Sequence, residues 1–306
     1  MNIYLAPMEG LTGYIFRGAL EKHFGGVDKY FTPFITPSRK KFGEKIVRDI
    51  VPEHNEGMRL VPQILTNSAE MFIYTCKALE QYGYTEFNLN LGCPSGTVVS
   101  KGRGSGFLAC PDELDRFLDG IFKSGYKISV KTRIGMESGD EFYTLLDIYN
   151  RYPMEELIIH PRTRADMYKN RPDMEIYGYA EKNSKNTLYY NGDIFFLQDY
   201  ERIAQGFENT AGVMLGRGAI INPSLPSVIK GGSMAGGSEL KAFYEDVRDG
   251  WAEVLCGEMP LVHKLKEMLL YMAAGFEGSE KTVKKIKKAK GMSEFNFAAY
   301  ELFSLK

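Results

Sequence analysis

Short apolar, β-prone runs recur along the first two-thirds of the chain, and helical patterns separate most of them. Eight of these runs are predicted to be strands, over residues 2–6, 28–34, 60–64, 86–91, 127–132, 156–160, 187–191 and 211–215. Strands that alternate with helices in this way predict an α/β fold with a parallel sheet, either a (β/α)8 barrel or a doubly wound sheet. The periodicity alone leaves both architectures open.

The residues at the strand ends favour the barrel. Five strands finish on a polar residue after an otherwise apolar or β-prone run, namely Gln63, Asn90, Lys131, His160 and Asn191. In a (β/α)8 barrel the carboxyl ends of all strands meet at one mouth, which carries the active site. We therefore predict a TIM barrel with a functional site at this end.

The pattern changes near residue 232, where the stretch GGSMAGGSE over residues 231–239 is typical of a flexible loop or linker. Beyond it only helices are predicted, over residues 239–256, 260–275, 279–290 and 294–304. These patterns predict a barrel domain over residues 1–232 and an all-helical domain over residues 233–306. The segment KTVKKIKKAKG, residues 281–291, holds six lysines and no acid, so it is either a solvated helix face or a surface that contacts phosphates.

Composition describes an ordinary soluble protein and excludes several classes. Hydrophobic residues make up 44% of the chain, charged residues 25%, and the net charge is -1. No apolar run is long enough for a membrane span, and the first residues do not resemble a secretory signal. The four cysteines form no CxxC pair, which argues against zinc and for a reducing cytoplasm. The oligomeric state stays open, with a monomer as the default expectation.

Two glycine-containing loops are candidates for binding a phosphate group. NGDI at residues 191–194 follows the seventh strand, and GRGA at residues 216–219 follows the eighth. Barrels commonly bind phosphate at these loops, and Gly192, Gly216 and Gly218 would let backbone N–H groups approach an anion. Ordinary turn chemistry explains the same glycines.

A phosphate-bearing flavin would give the other strand-end residues a task. Lys131 could stabilise the anionic reduced ring, although an ion pair at the barrel mouth is its default interpretation. Gln63 could meet the ring edge, Met8 could lie against its face, and His160 could donate a hydrogen bond. A purely structural role is the alternative for each of them.

Cys93 follows the fourth strand, between Gly92 and Pro94, at the start of a glycine-rich loop. Most buried cysteines only pack, but this one is placed at the barrel mouth. A thiol of ordinary pKa is protonated at neutral pH and could donate a proton, whereas a lowered pKa would make it a nucleophile. Both roles stay open at this point.

Together these motifs resemble the tRNA-dihydrouridine synthase family over nearly the whole chain. The matching stretches are APMEGLT at residues 6–12 with Phe16 and Arg17, PQI at 62–64, NLNLGCPS at 88–95, VKTR at 130–133, HPRTR at 160–164, NGDI at 191–194 and GRGA at 216–219.

The resemblance implies an FMN-binding barrel and a helical tRNA-binding domain that use NADPH to reduce uridines, in the D-loop, to dihydrouridine. The FMN contacts that it implies are Pro7, Met8, Glu9, Gln63, Lys131, His160, Asn191, Gly192, Asp193, Gly216 and Arg217. It implies that Cys93 is the proton donor and that the target base leaves its stack. The substrate contacts that it implies are Asn90, Arg133, Arg162 and Arg164, with Lys281, Lys284, Lys285 and Lys288 on the tRNA backbone.

Two positions depart from the family pattern. Gly13 stands where the family usually has aspartate, at a position expected to cap the first helix. The loop after the cysteine reads GRGSGFLA over residues 102–109, so Arg103 and Phe107 are expected to alter loop closure or the fit of the tRNA.

Two rival functions remain. One is a flavin barrel that reduces a free pyrimidine, which the lysine-rich tail and HPRTR disfavour. The other is a non-catalytic tRNA-binding protein, which the presence of Cys93, Lys131 and both phosphate loops disfavours.

Overall fold

The computed structural model describes residues 1–305, and its strands form one parallel barrel. Strands β1 to β9 span Asn2–Leu5, Lys29–Phe31, Leu60–Val61, Gln63–Ile64, Glu86–Leu91, Lys127–Arg133, Leu157–His160, Leu188–Asn191 and Gly212–Leu215. They pair in the order β3-β2-β1-β9-β8-β7-β6-β5-β4. The predicted TIM barrel is confirmed, and the doubly wound alternative is wrong.

The predicted strand over residues 60–64 is two short strands, β3 and β4, separated by Pro62. Proline has no N–H group to donate to a neighbouring strand, so the ladder is interrupted there. β3 pairs with β2 and β4 pairs with β5, while a parallel bridge joins Ile35 to Ile64. This segment therefore closes the barrel between the two ends of the strand order.

Helices cover the outside of the barrel and make up the carboxyl-terminal part of the chain. Helices α1 to α14 span Tyr14–His23, Glu44–Ile50, Ala69–Glu80, Gly96–Val99, Pro111–Phe122, Glu141–Tyr149, Met174–Asn183, Leu197–Gly206, Arg217–Ile221, Leu225–Ile229, Gly237–Val254, Glu258–Met272, Glu280–Lys288 and Met292–Phe303. Short 3-10 helices cover Pro52–His54, Gly104–Ala109 and Ala273–Gly275.

Two buried layers follow from the alternation of side chains along the strands. Tyr4, Phe31 and Tyr189 point into the barrel, where Tyr4 and Tyr189 stack with ring centroids 4.2 Å apart. The opposite strand faces pack against apolar stripes of the helices, such as Leu114, Leu118 and Ile121 of α5. The barrel is therefore a filled scaffold that holds its carboxyl-end loops in place.

After residue 232 the described residues contain helices and no strand, as predicted. Phe243 of α11 packs edge-on against Phe16 of α1, with ring centroids 5.5 Å apart, so these helices contact the barrel near its first helix. The division into two domains at residue 232 stays a prediction, and Lys306 lies outside the described residues. No helix within residues 1–305 is long and apolar enough to cross a bilayer.

Candidate active site at the carboxyl end of the barrel

A cavity of about 300 Å³ lies at the carboxyl ends of the strands. Residues at or near the carboxyl ends of the eight predicted strands line its wall, namely Ala6, Phe34, Gln63, Asn90, Lys131, His160, Asn191 and Leu215. The convergence predicted from the strand ends is thus present in the fold.

Most of the predicted site residues line this cavity. Those that do are Pro7, Met8, Glu9, Gln63, Asn90, Cys93, Lys131, Arg133, His160, Asn191, Gly192, Asp193, Gly216 and Arg217. Those that do not are Arg162, Arg164, Lys281, Lys284, Lys285 and Lys288. The roles assigned to all these residues remain proposals.

A second cavity, of about 690 Å³, adjoins the first and lies between α1, α2, α11 and α12. Glu9 and Phe34 line both cavities, and Tyr14 and Trp251 add aromatic surface to the second. Glu9 is the one predicted site residue in the second cavity. The side chains suited to chemistry are therefore gathered in the first.

Lys131 is a cation without a counter-ion at the wall of the first cavity. Within residues 1–305 its ammonium group has no carboxylate within salt-bridge distance and no hydrogen-bond acceptor. Burial lowers the pKa of Lys131 to about 7, and the positive charge of Arg133 acts in the same direction. An anionic group in the cavity would reverse this shift.

His160 is held in its neutral form. Burial lowers its pKa well below the ordinary value, and the charges of Arg133, Lys131, Arg162 and Arg217 add to the effect. Arg162 Nη1 lies 3.0 Å from His160 Nε2, and a guanidinium can only donate, so Nε2 accepts. The remaining proton is then on Nδ1.

Asp193, in the loop after β8, connects that loop to the loops after β7 and β9. Its carboxylate accepts hydrogen bonds from Arg162, at 3.0 Å from Nη1, and from Arg217 Nη2 at 2.7 Å. The φ of Asp193 is 36°, a left-handed conformation that aspartate tolerates better than most residues. Arg162 is only 2% exposed and also donates to Asn170 O, so it ties loops together and does not reach the cavity.

The loops after β8 and β9 are locked against each other. Asn191 Nδ2 donates to Met214 O at 2.7 Å. A Cβ atom on Gly218 would lie 1.9 Å from Ile194 O, so only glycine allows this close approach. The two loops that were predicted to bind a phosphate therefore pack directly against each other.

A row of amides connects the barrel interior to the cysteine turn. Asn88 Nδ2 donates to Ser129 Oγ at 2.8 Å, Gln63 Nε2 donates to Asn88 Oδ1 at 2.8 Å, and Asn90 Nδ2 donates to Gln63 Oε1 at 2.7 Å. Asn90 Oδ1 then accepts from the N–H groups of Gly92 and Cys93, at 3.0 and 2.9 Å. Asn90 thus sets the position of the thiol.

The carbonyl side of the same turn is fixed as well. Arg133 Nε donates to Gly92 O at 3.0 Å, and Ser105 Oγ donates to Cys93 O at 2.9 Å. Gly104 has a φ of +55°, and a Cβ atom there would lie 2.8 Å from Cys93 O. Hydrogen bonds therefore hold both the N–H groups and the carbonyl groups of this turn.

Burial raises the pKa of the Cys93 thiol, which outweighs the opposing effects of the Ser95 N–H and the charges of Arg133 and Lys131. The thiol form therefore prevails at neutral pH. Of the two roles left open by the sequence, this state suits the proton donor.

Sequence reasoning missed three side chains at the cavity. Tyr168, 51% exposed, lies on the loop after β7, with Arg217 Cζ 4.7 Å and Arg133 Cζ 5.3 Å from its ring centroid. Glu267 and Tyr271 reach the cavity from α12. None of them ends a strand, so the pattern that identified the other residues carries no signal for these.

The lysine-rich helix α13 presents its cations to solvent. Thr282 and Ile286 are buried, while the predicted lysines on this helix are exposed. Lys285 pairs with Glu301 at 2.7 Å. Arg164, the other predicted substrate contact, is half-buried, and its Nε has no hydrogen-bond partner among residues 1–305.

The loop departure at residues 102–109 affects packing beside the turn. Phe107 is 4% exposed and packs edge-on against Phe117 of α5. Arg103 Nε lies 3.5 Å from Asn67 Oδ1, and neither residue lines the cavity. Their expected effect on loop closure or tRNA fit stays a prediction.

Comparison with solved structures agrees with the barrel. Morphinone reductase in complex with tetrahydroNAD superposes with a TM-score of 0.52 at 12% identity, covering 76% of this chain and 88% of that one. Histamine dehydrogenase from Rhizobium sp. 4-9 gives a TM-score of 0.55 at 11% identity, covering 87% of this chain and 49% of that one. At such low identity the likeness shows the fold alone.

Sequence relatives are more specific. The probable tRNA-dihydrouridine synthase of Staphylococcus aureus (strain COL) is 32% identical over 226 residues, which cover 72% of this chain and 68% of the relative. The probable tRNA-dihydrouridine synthase 2 of Bacillus subtilis (strain 168) is 29% identical over 226 residues, covering 72% and 69%. The family model for dihydrouridine synthase (Dus) matches residues 4–292. The chain therefore belongs to the dihydrouridine synthase family.

Proposed function

We propose that the chain is an FMN- and NADPH-dependent tRNA-dihydrouridine synthase, which reduces the C5=C6 bond of uridines in the D-loop of tRNA. The observation that carries this proposal is that Cys93, in a turn held by hydrogen bonds and with a thiol pKa raised by burial, lines the same cavity as Lys131, which has no carboxylate partner among residues 1–305. The relatives named as tRNA-dihydrouridine synthases support tRNA as the substrate.

The donor set fits a flavin phosphate cofactor. Lys131 has no carboxylate partner among the described residues, and the electron-rich edge of a reduced flavin ring would give its ammonium group one. Gly192 and Gly216 line the cavity beside Arg217, and without side chains they would let backbone N–H groups approach a phosphate. Gln63, His160 and the 6–9 segment would hold the ring, and bound FMN would supply the two-electron chemistry of the reduction.

The protein itself supplies the proton. When the uracil ring gains electrons, the Sγ–H bond of Cys93 breaks, a C–H bond forms at C5, and the electron pair stays on sulfur. Lys131 and Arg133, the two cations that oppose the raised pKa of the thiol, stabilise the thiolate while it exists. Because that pKa is raised, solvent returns the proton to sulfur at neutral pH.

The remaining residues position these groups. Asn90 holds the thiol through two N–H groups and keeps a second Nδ2 hydrogen that could donate to the base. Tyr168 offers an exposed aromatic face for stacking at the cavity mouth. The lysines of α13 would contact the tRNA backbone from the helical domain over residues 233–306.

Reconstitution tests the proposal. The purified protein is incubated with NADPH and unmodified tRNA, the released cofactor is identified by mass, and the digested nucleosides are analysed for dihydrouridine. We expect FMN and tRNA-dependent dihydrouridine. Reduction of free uridine or uracil without tRNA would favour a free-pyrimidine enzyme, and tRNA binding without flavin would favour a binding protein.

A further inference from the structure

The loop between β1 and α1 forms one wall of the active-site cavity. Pro7, Met8 and Glu9 line the cavity, and the loop returns to the buried Thr12. Thr12 Oγ1 accepts from Met8 N at 2.7 Å and donates to Ala6 O at 3.1 Å. The shape of this wall therefore depends on where Thr12 is held.

Arg17 holds Thr12 from behind. Its side chain is completely buried, and Nη1 donates to Thr12 O at 3.0 Å. Nη2 donates to Asp49 O at 2.9 Å and to Asn55 Oδ1 at 2.8 Å. Burial lowers the pKa of Arg17, and Asp49 is the carboxylate that opposes this shift, at 3.3 Å from Nη1.

Helix α1 lacks a cap of its own. Its N-cap residue, Gly13, has no side chain that could accept a hydrogen bond, and its first turn contains no acid. The N–H of Tyr14 instead donates to Asp49 Oδ1 at 2.7 Å, from the neighbouring helix α2. One carboxylate thus caps α1 and neutralises the buried guanidinium of Arg17.

Gly13 leaves the space that Asp49 uses. A Cβ atom on Gly13 would lie 3.1 Å from Asp49 Oδ1. The φ of Gly13 is -69°, which any residue can adopt. An acidic side chain at residue 13 would therefore place its carboxylate in the region that Asp49 now occupies.

We propose that Asp49 is a positioning residue of the active site: it supplies from α2 the carboxylate that α1 lacks and, through Tyr14 and Arg17, fixes the loop that forms the cavity wall. The expected effect on FMN binding rests on the proposed function. The expectation that a carboxylate at residue 13 can replace that of Asp49 does not. Glu44, on the same helix but 87% exposed, offers a matched control.

A carboxylate exchange tests this proposal. We compare the parent with Asp49→Ala, Asp49→Asn, Gly13→Asp, the double variant Asp49→Ala/Gly13→Asp and Glu44→Ala. The readouts are the FMN dissociation constant, measured by flavin fluorescence where every variant is folded, and the melting temperature of flavin-free protein. Asp49→Ala should weaken FMN binding about tenfold or more, because the guanidinium and the helix end lose their partner.

The decisive result is whether Gly13→Asp strengthens or weakens FMN binding in each background. Gly13→Asp should restore most FMN binding in the Asp49→Ala background, yet weaken it in the parent, where two carboxylates would compete for one place. Glu44→Ala should bind FMN as the parent does. If Asp49→Ala does not fold, Asp49→Asn and the double variant decide the matter, because a carboxylate at residue 13 must then restore folding.

Parent-like FMN binding in both Asp49 variants, or no rescue by Gly13→Asp, would overturn the positioning role. A parent that binds no flavin would instead refute the proposed function. In that case the melting temperatures alone would test the exchange, and a double variant no more stable than Asp49→Ala would refute it.

Discussion

The thiol of Cys93 is kept in its acid form by burial, and its turn is fixed by Asn90, Arg133 and Ser105. A group of this kind can deliver a proton at neutral pH without being a strong nucleophile. Of the two roles that the sequence left open for Cys93, proton donor and nucleophile, the structure therefore favours the proton donor.

Replacing Cys93 by Ala should leave FMN binding and NADPH oxidation intact and should slow flavin reoxidation by tRNA about 10²–10⁴-fold, the usual contribution of a general acid. Stopped-flow absorbance of the flavin measures both half-reactions. Cys93→Ser should recover little, since a hydroxyl is a much weaker acid than a thiol. In the parent, reoxidation should decline only above the ordinary thiol pKa of 9.0.

Cys110→Ala is the matched control, because Cys110 is exposed and does not line the cavity. It should behave as the parent does. Reoxidation at a normal rate in Cys93→Ala, or lost FMN binding there with a mild effect in Cys93→Ser, would make Cys93 a packing residue.

The lowered pKa of Lys131 predicts that the stability of the flavin-free protein depends on pH. Its pKa falls from 10.5 to about 7 on folding, so between these values the unfolded chain binds more protons. This group therefore makes the folded state more stable as pH rises from 7 towards 10. Lys131→Met should remove that part of the rise, measured by urea unfolding at pH 7 and 9, and should also weaken FMN binding.

Lys127→Met, at the exposed start of the same strand, is the control and should keep the rise. If Lys131→Met and the parent show the same difference between pH 7 and 9, the ammonium group is better solvated than its position indicates.

At this scale, the sequence predicted the residues that end strands, because the β period and the barrel geometry together determine where they lie. It did not predict that the Arg162 guanidinium pairs with the Asp193 carboxylate, nor that Tyr168 lies at the mouth of the active-site cavity. Those placements depend on loop conformations, such as the left-handed φ of 52° at Met167 beside Tyr168, which no periodic pattern encodes.

At the scale of elements, local chemistry decided where helices begin and strands stop. Pro111 begins α5, whereas α3 is capped by Ser68, whose Oγ accepts from Met71 N at 3.3 Å, and not by the adjacent Asn67. The predicted strand over residues 28–34 shortens to Lys29–Phe31 because Pro33 follows closely. Neighbouring candidates of equal propensity cannot be ranked without their tertiary partners.

Helix α13 should supply backbone contacts to tRNA. Replacing Lys281, Lys284 and Lys288 by Gln should weaken tRNA binding and reduce the slope of log K against log salt by up to about 3. FMN binding and tRNA-independent NADPH oxidation should not change. Fluorescence anisotropy across a salt series measures the slope.

Lys127, Lys182 and Lys185, all exposed and lying near the starts of strands β6 and β8 or at the end of α7, serve as the control triple replacement. An equal loss of slope in both triple variants would show that α13 has no special role in RNA binding.

The strand starts carry a polar network at the opposite end of the barrel. Lys29 is fully buried and pairs with Glu86 at 2.7 Å and with Glu156, which also accepts from Tyr4 OH at 2.6 Å. Lys29→Met should cost about 3–5 kcal/mol of unfolding free energy, because two carboxylates lose their buried cation. FMN affinity of the folded protein should be unchanged, as this network lies far from the cavity in the fold.

Denaturant unfolding and flavin titration of the same samples check this prediction. Arg59→Gln, which removes only the 62%-exposed partner of Glu86, should be nearly neutral. A Lys29→Met protein as stable as the parent would mean that the carboxylates become protonated or hydrated at little cost.

For the whole molecule, the site is shared between the barrel and the helices that follow it. The strands place Cys93 and Lys131, while α12 closes the cavity with Glu267 and Tyr271. The net charge of -1 hides the exposed cations of α13, so the total charge says little about RNA binding. The sequence predicted the barrel and the helices that follow it, but only the fold shows that both line one cavity.

The most direct test of the central claim is the dihydrouridine content of tRNA, mapped position by position, in cells that lack this gene. We expect dihydrouridine to disappear from one or more D-loop positions and to return when the parent gene is restored, but not with Cys93→Ala produced at the same level. An unchanged dihydrouridine map in the deletion, or full restoration by Cys93→Ala, would contradict the account.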